Sequence, residues 1–176
     1  MKIRKAVARM LGIKDRARIK GHFDVVCRRP DGSIRWEEHA DNLITNEGLD
    51  HILDVVLHGT TPVSPWYVGL KNAGAAAAAD TLASHAAWTE NTNYTGDRQE
   101  YVEAAASSQS TTNSANKASF PITSDSQTIA GAFLASAATG TSGTLLCVVD
   151  FASAKSADNG DTLEVTYTIS AADDGA

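Results

Sequence analysis

The chain has 176 residues, enough for one domain with a hydrophobic core and too few to make two domains the default expectation. Its apolar fraction is 43%, but aromatic residues make up 6% of the chain and alanine supplies much of the rest, which predicts a thin core built on sheets. The first twenty residues carry eight basic side chains and one acidic side chain, whereas the remainder has a net charge of −13. The negative charge of residues 21–176 argues against their binding nucleic acid.

The two cysteines, Cys27 and Cys147, lie far apart in the sequence, and no segment has the pattern of a secretory signal. No segment approaches the roughly 18 apolar residues that a membrane-spanning helix needs. We therefore expect a soluble protein made in a reducing cytoplasm, with no membrane partner and with both thiols free and buried.

Residues 1–20 predict a basic, amphipathic, helical N-terminal arm. Apolar residues recur with helical spacing from Ile3 to Leu11, and Gly12 marks the end of the helix. A helix this short needs a surface to pack on, so docking on protein is favoured over the alternatives of a disordered arm or a nucleic-acid contact. The arm residues predicted to lie at a protein interface are Lys2, Ile3, Arg4, Lys5, Val7, Arg9, Met10, Leu11, Arg16 and Arg18.

Residues 21–176 predict a single β-rich domain that opens with a hairpin. Phe23, Val25 and Cys27 alternate on one face, Pro30-Asp31-Gly32 supplies a turn, and residues 33–38 form the return strand. Asn46 then offers an N-cap for an amphipathic helix that ends at Gly59 and covers one face of the sheet.

A short strand is predicted at 66–70, and a long surface loop follows at about 72–119, interrupted by a strand-like segment at 98–102. Trp88 lies in this loop and is the tryptophan predicted to have an interface role. Four further strands are predicted at 118–122, 128–135, 144–151 and 162–170. Together the elements predict a mainly β fold, an antiparallel sandwich or barrel of jelly-roll type with one helix and the basic arm.

The sequence contains no pattern that supports catalysis, a cofactor or a metal site. Gly-x-Ser-x-Gly is absent, and the five histidines show no recognised ligand spacing; His51 and His58, seven residues apart, lack further ligands. Trp36 and Trp66 are assigned to the core, while Trp88 or Tyr94 are the residues that a carbohydrate-contact function would use.

Several segments between residues 20 and 170 resemble a group of tailed-bacteriophage structural proteins. The resemblance rests on residues 41–49 (DNLITNEGL), 66–70 (WYVGL), 81–90 (TLASHAAWTE), 113–118 (NSANKA), 131–134 (GAFL) and 160–168 (GDTLEVTYT). It implies a virion protein, made in the host bacterial cytoplasm, that works by assembly and is not an enzyme. The arm is not part of the resemblance.

The function favoured at this point is a capsid decoration or cement protein that binds the major capsid protein or other virion proteins and forms a homo-oligomer, a trimer or a dimer. The alternatives are a tail, neck-adaptor or fibre module, including one that binds host-surface carbohydrate. For decoration, we expect apolar surface of the arm and the loop to be buried between subunits while lysine and arginine of the arm pair with carboxylates of the shell.

Overall fold

The computed structural model describes residues 17–173. Within these residues the chain forms two antiparallel β-sheets and one α-helix, which a π-helical turn, Asp54–His58, extends. The elements in chain order are β1 (Ala17–Arg28), β2 (Ile34–Asp41), β3 (Leu43–Ile44), α1 (Asn46–Leu53), β4 (Tyr67–Lys71), β5 (Glu90–Asn91), β6 (Gln99–Glu100), β7 (Ser110–Thr112), β8 (Ala118–Pro121), β9 (Gln127–Ala135), β10 (Leu145–Ala157) and β11 (Thr162–Asp173).

The first sheet has the order β2-β1-β11, and both β7 and β8 pair with the far edge of β11. Strands β1 and β11 pair without interruption over twelve residues, from Ala17 opposite Asp173 to Arg28 opposite Thr162. The second sheet has the order β3-β10-β9-β4, with β5 and β6 on the far edge of β4. The predicted antiparallel sandwich is confirmed.

The N-terminal hairpin forms as the alternating pattern predicts. Phe23, Val25 and Cys27 are fully buried, and the turn contains Gly32 with a φ of 83°, a left-handed conformation that glycine adopts without strain. The hairpin begins earlier than predicted, because β1 starts at Ala17 and takes the last four residues assigned to the arm.

The main core lies between the two sheets. Phe23 and Tyr167 from the first sheet pack with their ring centroids 4.4 Å apart and share the core with Leu70, Leu134 and other residues from the second. Both cysteines belong to this core and are free, as predicted, and burial raises the pKa of each thiol to about 12. The thiols are therefore inert at physiological pH.

The segment between β4 and β8 packs on both sheets: the part around Trp88 lies on the outer face of the second sheet, whereas Tyr94 and Tyr101 join the main core and β7 pairs with β11. It contains β5, β6 and β7, all of them short, so the predicted strand at 98–102 is reduced to Gln99–Glu100. A second apolar cluster forms beneath it, where Trp88 packs with Leu82, Phe133 and Leu145. Trp88 is 2% exposed, and its indole N–H donates to Asp80 at 2.9 Å.

Two buried basic side chains, Arg98 and Lys71, help to fix this segment to the second sheet, and Lys71 does so by donating to the carbonyl oxygen of Gly74 at 2.6 Å. The Arg98 guanidinium binds the Glu90 carboxylate in a bidentate manner at 2.8 and 2.7 Å, and it also donates to the carbonyl oxygens of Ala137 and Gly140. The fully buried Lys71 ammonium lies 2.6 Å from a carboxylate oxygen of Asp150. Both charges have partners, so the loop is held by directed bonds as well as by packing.

Glu38 links the two sheets at one edge. Its side chain is buried, and its carboxylate accepts the backbone N–H of Ala152 and pairs with Lys155, each at 2.8 Å. Burial acts to raise the pKa of Glu38, but the bonds from Lys155 and Ala152 outweigh it and hold the pKa below its ordinary value. The fold therefore favours the ionised carboxylate.

No helix among residues 17–173 is long and apolar enough to span a membrane.

We predict that Glu38→Gln makes stability less sensitive to acid. Because the folded pKa of Glu38 is below its ordinary value of 4.5, the carboxylate stabilises the fold above that pH, and this contribution is lost as the pH falls. Urea unfolding at neutral pH and at about pH 3.5 should show a larger loss for the wild type than for Glu38→Gln. Glu37→Gln, an exposed neighbour, is the control; equal losses in wild type and Glu38→Gln would contradict the prediction.

We also predict that Trp88→Ala lowers the free energy of unfolding by about 3–5 kcal/mol, because it empties a buried site and leaves Asp80 without its indole donor. Val102→Ala, at an exposed valine, should change it by about 0.5 kcal/mol or less. Chemical denaturation measures both values. A Trp88→Ala protein as stable as the wild type would instead favour the interface role predicted from the sequence.

Candidate assembly interface

Of the residues predicted to form an interface, Arg18 and Trp88 lie within the described part of the chain. Those from Lys2 to Arg16 lie outside residues 17–173. Arg18 is exposed on β1 opposite Ala172, whereas Trp88 lies in the second apolar cluster. The interface role of Trp88 stays a prediction; in the described structure its ring is buried and packs on Phe133 and on His85.

Burial also affects the aromatic residues that a carbohydrate-contact function would use. Tyr94 is buried and packs edge-on against Phe120 at 4.8 Å. Trp36 packs against Phe151, and Trp66 is partly buried against the main core, as predicted. Neither Trp88 nor Tyr94 presents a ring face on which a sugar could stack.

Helix α1 is fixed to β10 at its N-terminal end. Thr45, one residue before the predicted Asn46, is the N-cap: its hydroxyl accepts the N–H of Gly48 at 3.0 Å and donates to the carbonyl of Leu145. The Glu47 carboxylate accepts the N–H groups of Leu82 at 3.1 Å and Leu145 at 2.6 Å. The first turn thus joins β10 and the long loop.

Gly48 sets how closely the helix approaches β10. A Cβ atom at this position would lie 2.2 Å from the carbonyl oxygen of Leu146, which is backbone and cannot move aside. The helix therefore rests directly on the strand through Gly48. Its leucines consequently do not form the contact with the sheet.

The apolar side of the helix faces outward, which corrects the prediction that it covers a sheet. Ile52 packs against the core, whereas four aliphatic side chains are exposed, Leu49 by 42%, Leu53 by 55%, Val56 by 72% and Leu57 by 78%. The helix ends at Gly59, as predicted, in a left-handed conformation. We call Leu49, Leu53, Val56 and Leu57 the apolar face.

A groove lies beside the apolar face, between the helix and the edge of the first sheet. Its volume is about 640 Å³, and its apolar lining includes Ile19, Ile52, Val56, Ile169 and Ala171. A smaller hollow of about 230 Å³ adjoins it, where Trp66 and Pro62 complete the lining. Exposed side chains and groove together make a continuous apolar surface.

Carboxylates border this surface. Glu47, Asp50 and Asp54 line a shallow hollow along the polar side of the helix. An apolar surface with an acidic border suits a partner that combines aliphatic side chains with lysine and arginine. The arrangement supports protein recognition.

A second polar cluster lies on the outer face of the hairpin. His22, Asp24 and His39 each offer a ligand atom within 4.8 Å of those of the other two, so these residues could hold a metal ion. Ligand spacings along the sequence do not reveal this cluster, because its residues come together across two paired strands.

The apolar face was missed for another reason. Helical spacing identifies an apolar stripe but not its direction, which Gly48 and Thr45 determine through contacts with β10. A signal was present in the sequence: Gly48 interrupts the helix on the side where close packing occurs.

The family model described as Podophage GP4 fiber I protein gp80 matches residues 44–170, which are 127 of the 176 residues. This range contains α1 and every strand from β4 to β10, together with most of β11. No curated protein and no solved structure gives a significant match. The match confirms the predicted resemblance to tailed-phage virion structural proteins, and the chain belongs to the podophage GP4 fiber I protein family.

Proposed function

We propose that this chain is a non-enzymatic structural subunit of a phage fibre, and that it assembles with other subunits through the apolar face of α1. The exposed apolar face carries this proposal. Family membership supports a structural role in the virion, and the family description names a fibre protein. The finer role is argued from the surface that the fold leaves uncovered.

The exposure of four adjoining aliphatic side chains is costly for an isolated subunit. Leu53, Val56 and Leu57 are each more than half exposed, although the main core lies just beneath Ile52. Burial of such side chains contributes about 25 cal/mol per Å² of apolar area removed from water. The surface is therefore suited to being covered in an assembly.

The occupant that we propose is the N-terminal segment of a second copy. Ile3, Val7, Met10 and Leu11 recur in the sequence with the spacing of an amphipathic helix, which would fit the groove, and the segment is rich in lysine and arginine. The acidic border formed by Glu47, Asp50 and Asp54 complements that charge. One chain thus carries both halves of the interface.

The N-terminal segment joins the described chain close to the groove, which suits binding of this segment in the groove of a second copy. The described chain begins at Ala17, two residues before Ile19, which lines the groove. Sixteen residues precede Ala17, and a chain of that length spans up to about 50 Å when extended, enough to reach a neighbouring copy. Head-to-tail contacts of this type build rings or filaments.

Fibre and capsid decoration are separated by copy number. The sequence alone favoured decoration; the family description supports the fibre, and the apolar face is compatible with both. Quantitative mass spectrometry of purified virions against the tail-tube subunit distinguishes them. A few tens of copies per particle are expected for a fibre, whereas hundreds of copies would favour decoration of the major capsid protein.

We predict that the full chain self-associates and that Val56→Glu weakens the association at least about tenfold, because the new charge must be desolvated in an apolar groove. Deletion of residues 1–16 should weaken it as strongly. Sedimentation velocity over a range of concentrations measures both effects. The matched control is Val102→Glu, which places the same charge at an exposed valine away from α1.

A cysteine pair identifies the occupant. Val7→Cys in one tagged copy and Val56→Cys in another should form an intermolecular disulfide under mild oxidation, while the native thiols stay unreactive because they are buried. In a chain with both substitutions, a disulfide formed exclusively within one chain would contradict exchange, as would a full chain that remains monomeric at every concentration. Association unchanged by the deletion would assign the face to another partner.

A further inference from the structure

Four ionisable side chains form a square on the outer face of the hairpin. His22 and Asp24 alternate along β1, and His39 and Asp41 alternate along β2. The register places His22 opposite Asp41 and Asp24 opposite His39. Since residues two apart share a face of a strand, all four project to the same side, away from the core.

The Asp24 carboxylate lies between the two imidazoles. One oxygen of Asp24 is 2.6 Å from Nδ1 of His39 and 3.4 Å from Nε2 of His22. The rings of His22 and His39 are nearly parallel, with an interplanar angle of 12° and centroids 6.5 Å apart. Two imidazole nitrogens and one carboxylate oxygen therefore converge on one small volume.

Asp41 orients His22. Its carboxylate lies 2.7 Å from Nδ1 of His22, and an ionised carboxylate can only accept, so Nδ1 carries the proton. The other nitrogen, Nε2, then presents its lone pair toward Asp24 and His39. A carboxylate that holds the second nitrogen of a ligating histidine is the usual outer partner in metal sites.

The surroundings favour a cation. Glu37 lies at the next position on the same face of β2, whereas Glu164 on β11 is already paired with Arg28 and Lys117, each at 3.4 Å. Lys20 is a further basic residue nearby on β1. Thr166 and Thr168 flank the cluster on β11 and add no charge. Excess negative charge near His22 and His39 attracts a divalent ion.

We propose that His22, Asp24 and His39 bind a divalent transition-metal ion, with zinc as the ion that best suits the ligands, and that Asp41 positions His22. Zinc takes tetrahedral nitrogen and oxygen ligands at about 2.0–2.2 Å, which places ligand atoms about 3.3–3.6 Å from one another. The three ligand atoms lie within 4.8 Å of one another. By the same argument as for His22, Nδ1 of His39 donates to Asp24 at 2.6 Å in the described structure, so metal binding requires that nitrogen to release its proton and the side chains to rotate to ligand spacing.

The fourth position of the tetrahedron is open to solvent or to a group from another subunit. Sites with two histidines and one carboxylate leave such a position. The metal would also cross-link β1 and β2 at the end of the hairpin remote from its turn. The site lies before residue 44, outside the range that the family model matches.

Isothermal titration with zinc chloride tests the proposal on the full chain after removal of metals with a chelator. One equivalent of zinc should bind to the wild type. His39→Asn should weaken binding by more than about tenfold, and Asp41→Asn, which removes the orienting carboxylate, by about 10- to 100-fold. His58→Asn, at an exposed histidine on the π-helical turn, is the matched control and should bind as the wild type does.

Cobalt substitution provides a readout that a purely structural role would not give. Tetrahedral Co²⁺ with nitrogen and oxygen ligands has intense visible bands, which should appear with the wild type and with His58→Asn but be lost with His39→Asn. Circular dichroism establishes that each variant is folded. Failure of the wild type to bind zinc, or equal zinc binding by wild type and His39→Asn, would overturn the proposal and leave the square as hydrogen-bonded pairs.

Discussion

The rest of the structure depends on the pairing of β1 with β11. These strands lie near opposite ends of the described chain, yet they are in register over twelve residues and form the centre of the first sheet. Strand β2 joins one side of the pair, and β7 and β8 join the other. The buried faces of β1 and β11 supply Phe23 and Tyr167, whose rings pack against each other in the core between the sheets.

Close backbone contacts then decide which surfaces remain free. A Cβ on Gly21 would come 2.2 Å from the hydroxyl oxygen of Tyr167. Because glycine has no side chain, the Tyr167 ring can occupy the space beside β1. Gly48 acts similarly for α1, and the resulting orientation exposes the apolar face. The loop around Trp88 has the opposite outcome: Arg98 donates to the carbonyl oxygen of Ala137, Lys71 donates to that of Gly74, and the Trp88 ring is buried on the second sheet.

Much of the sandwich could be predicted because alternation along a strand reports burial directly, as Phe23, Val25 and Cys27 illustrate. The hairpin was predictable as well, but its register was not. A bulge between Cys27 and Arg28 shifts the pairing by one residue. Counting back from the turn places His22 opposite Ala40, whereas the bulge brings Asp41 there. The direction of the helix was equally hidden, because it depends on contacts between segments about 100 residues apart.

The pairing of β1 with β11 also has a mechanical consequence. Ala17 and Asp173 lie opposite each other at the same end of an antiparallel pair, so a force pulling these two residues apart would load the hydrogen bonds one after another, as in opening a zipper. That geometry resists tension poorly. A subunit built this way is better suited to transmit load through its lateral surfaces than along its own backbone.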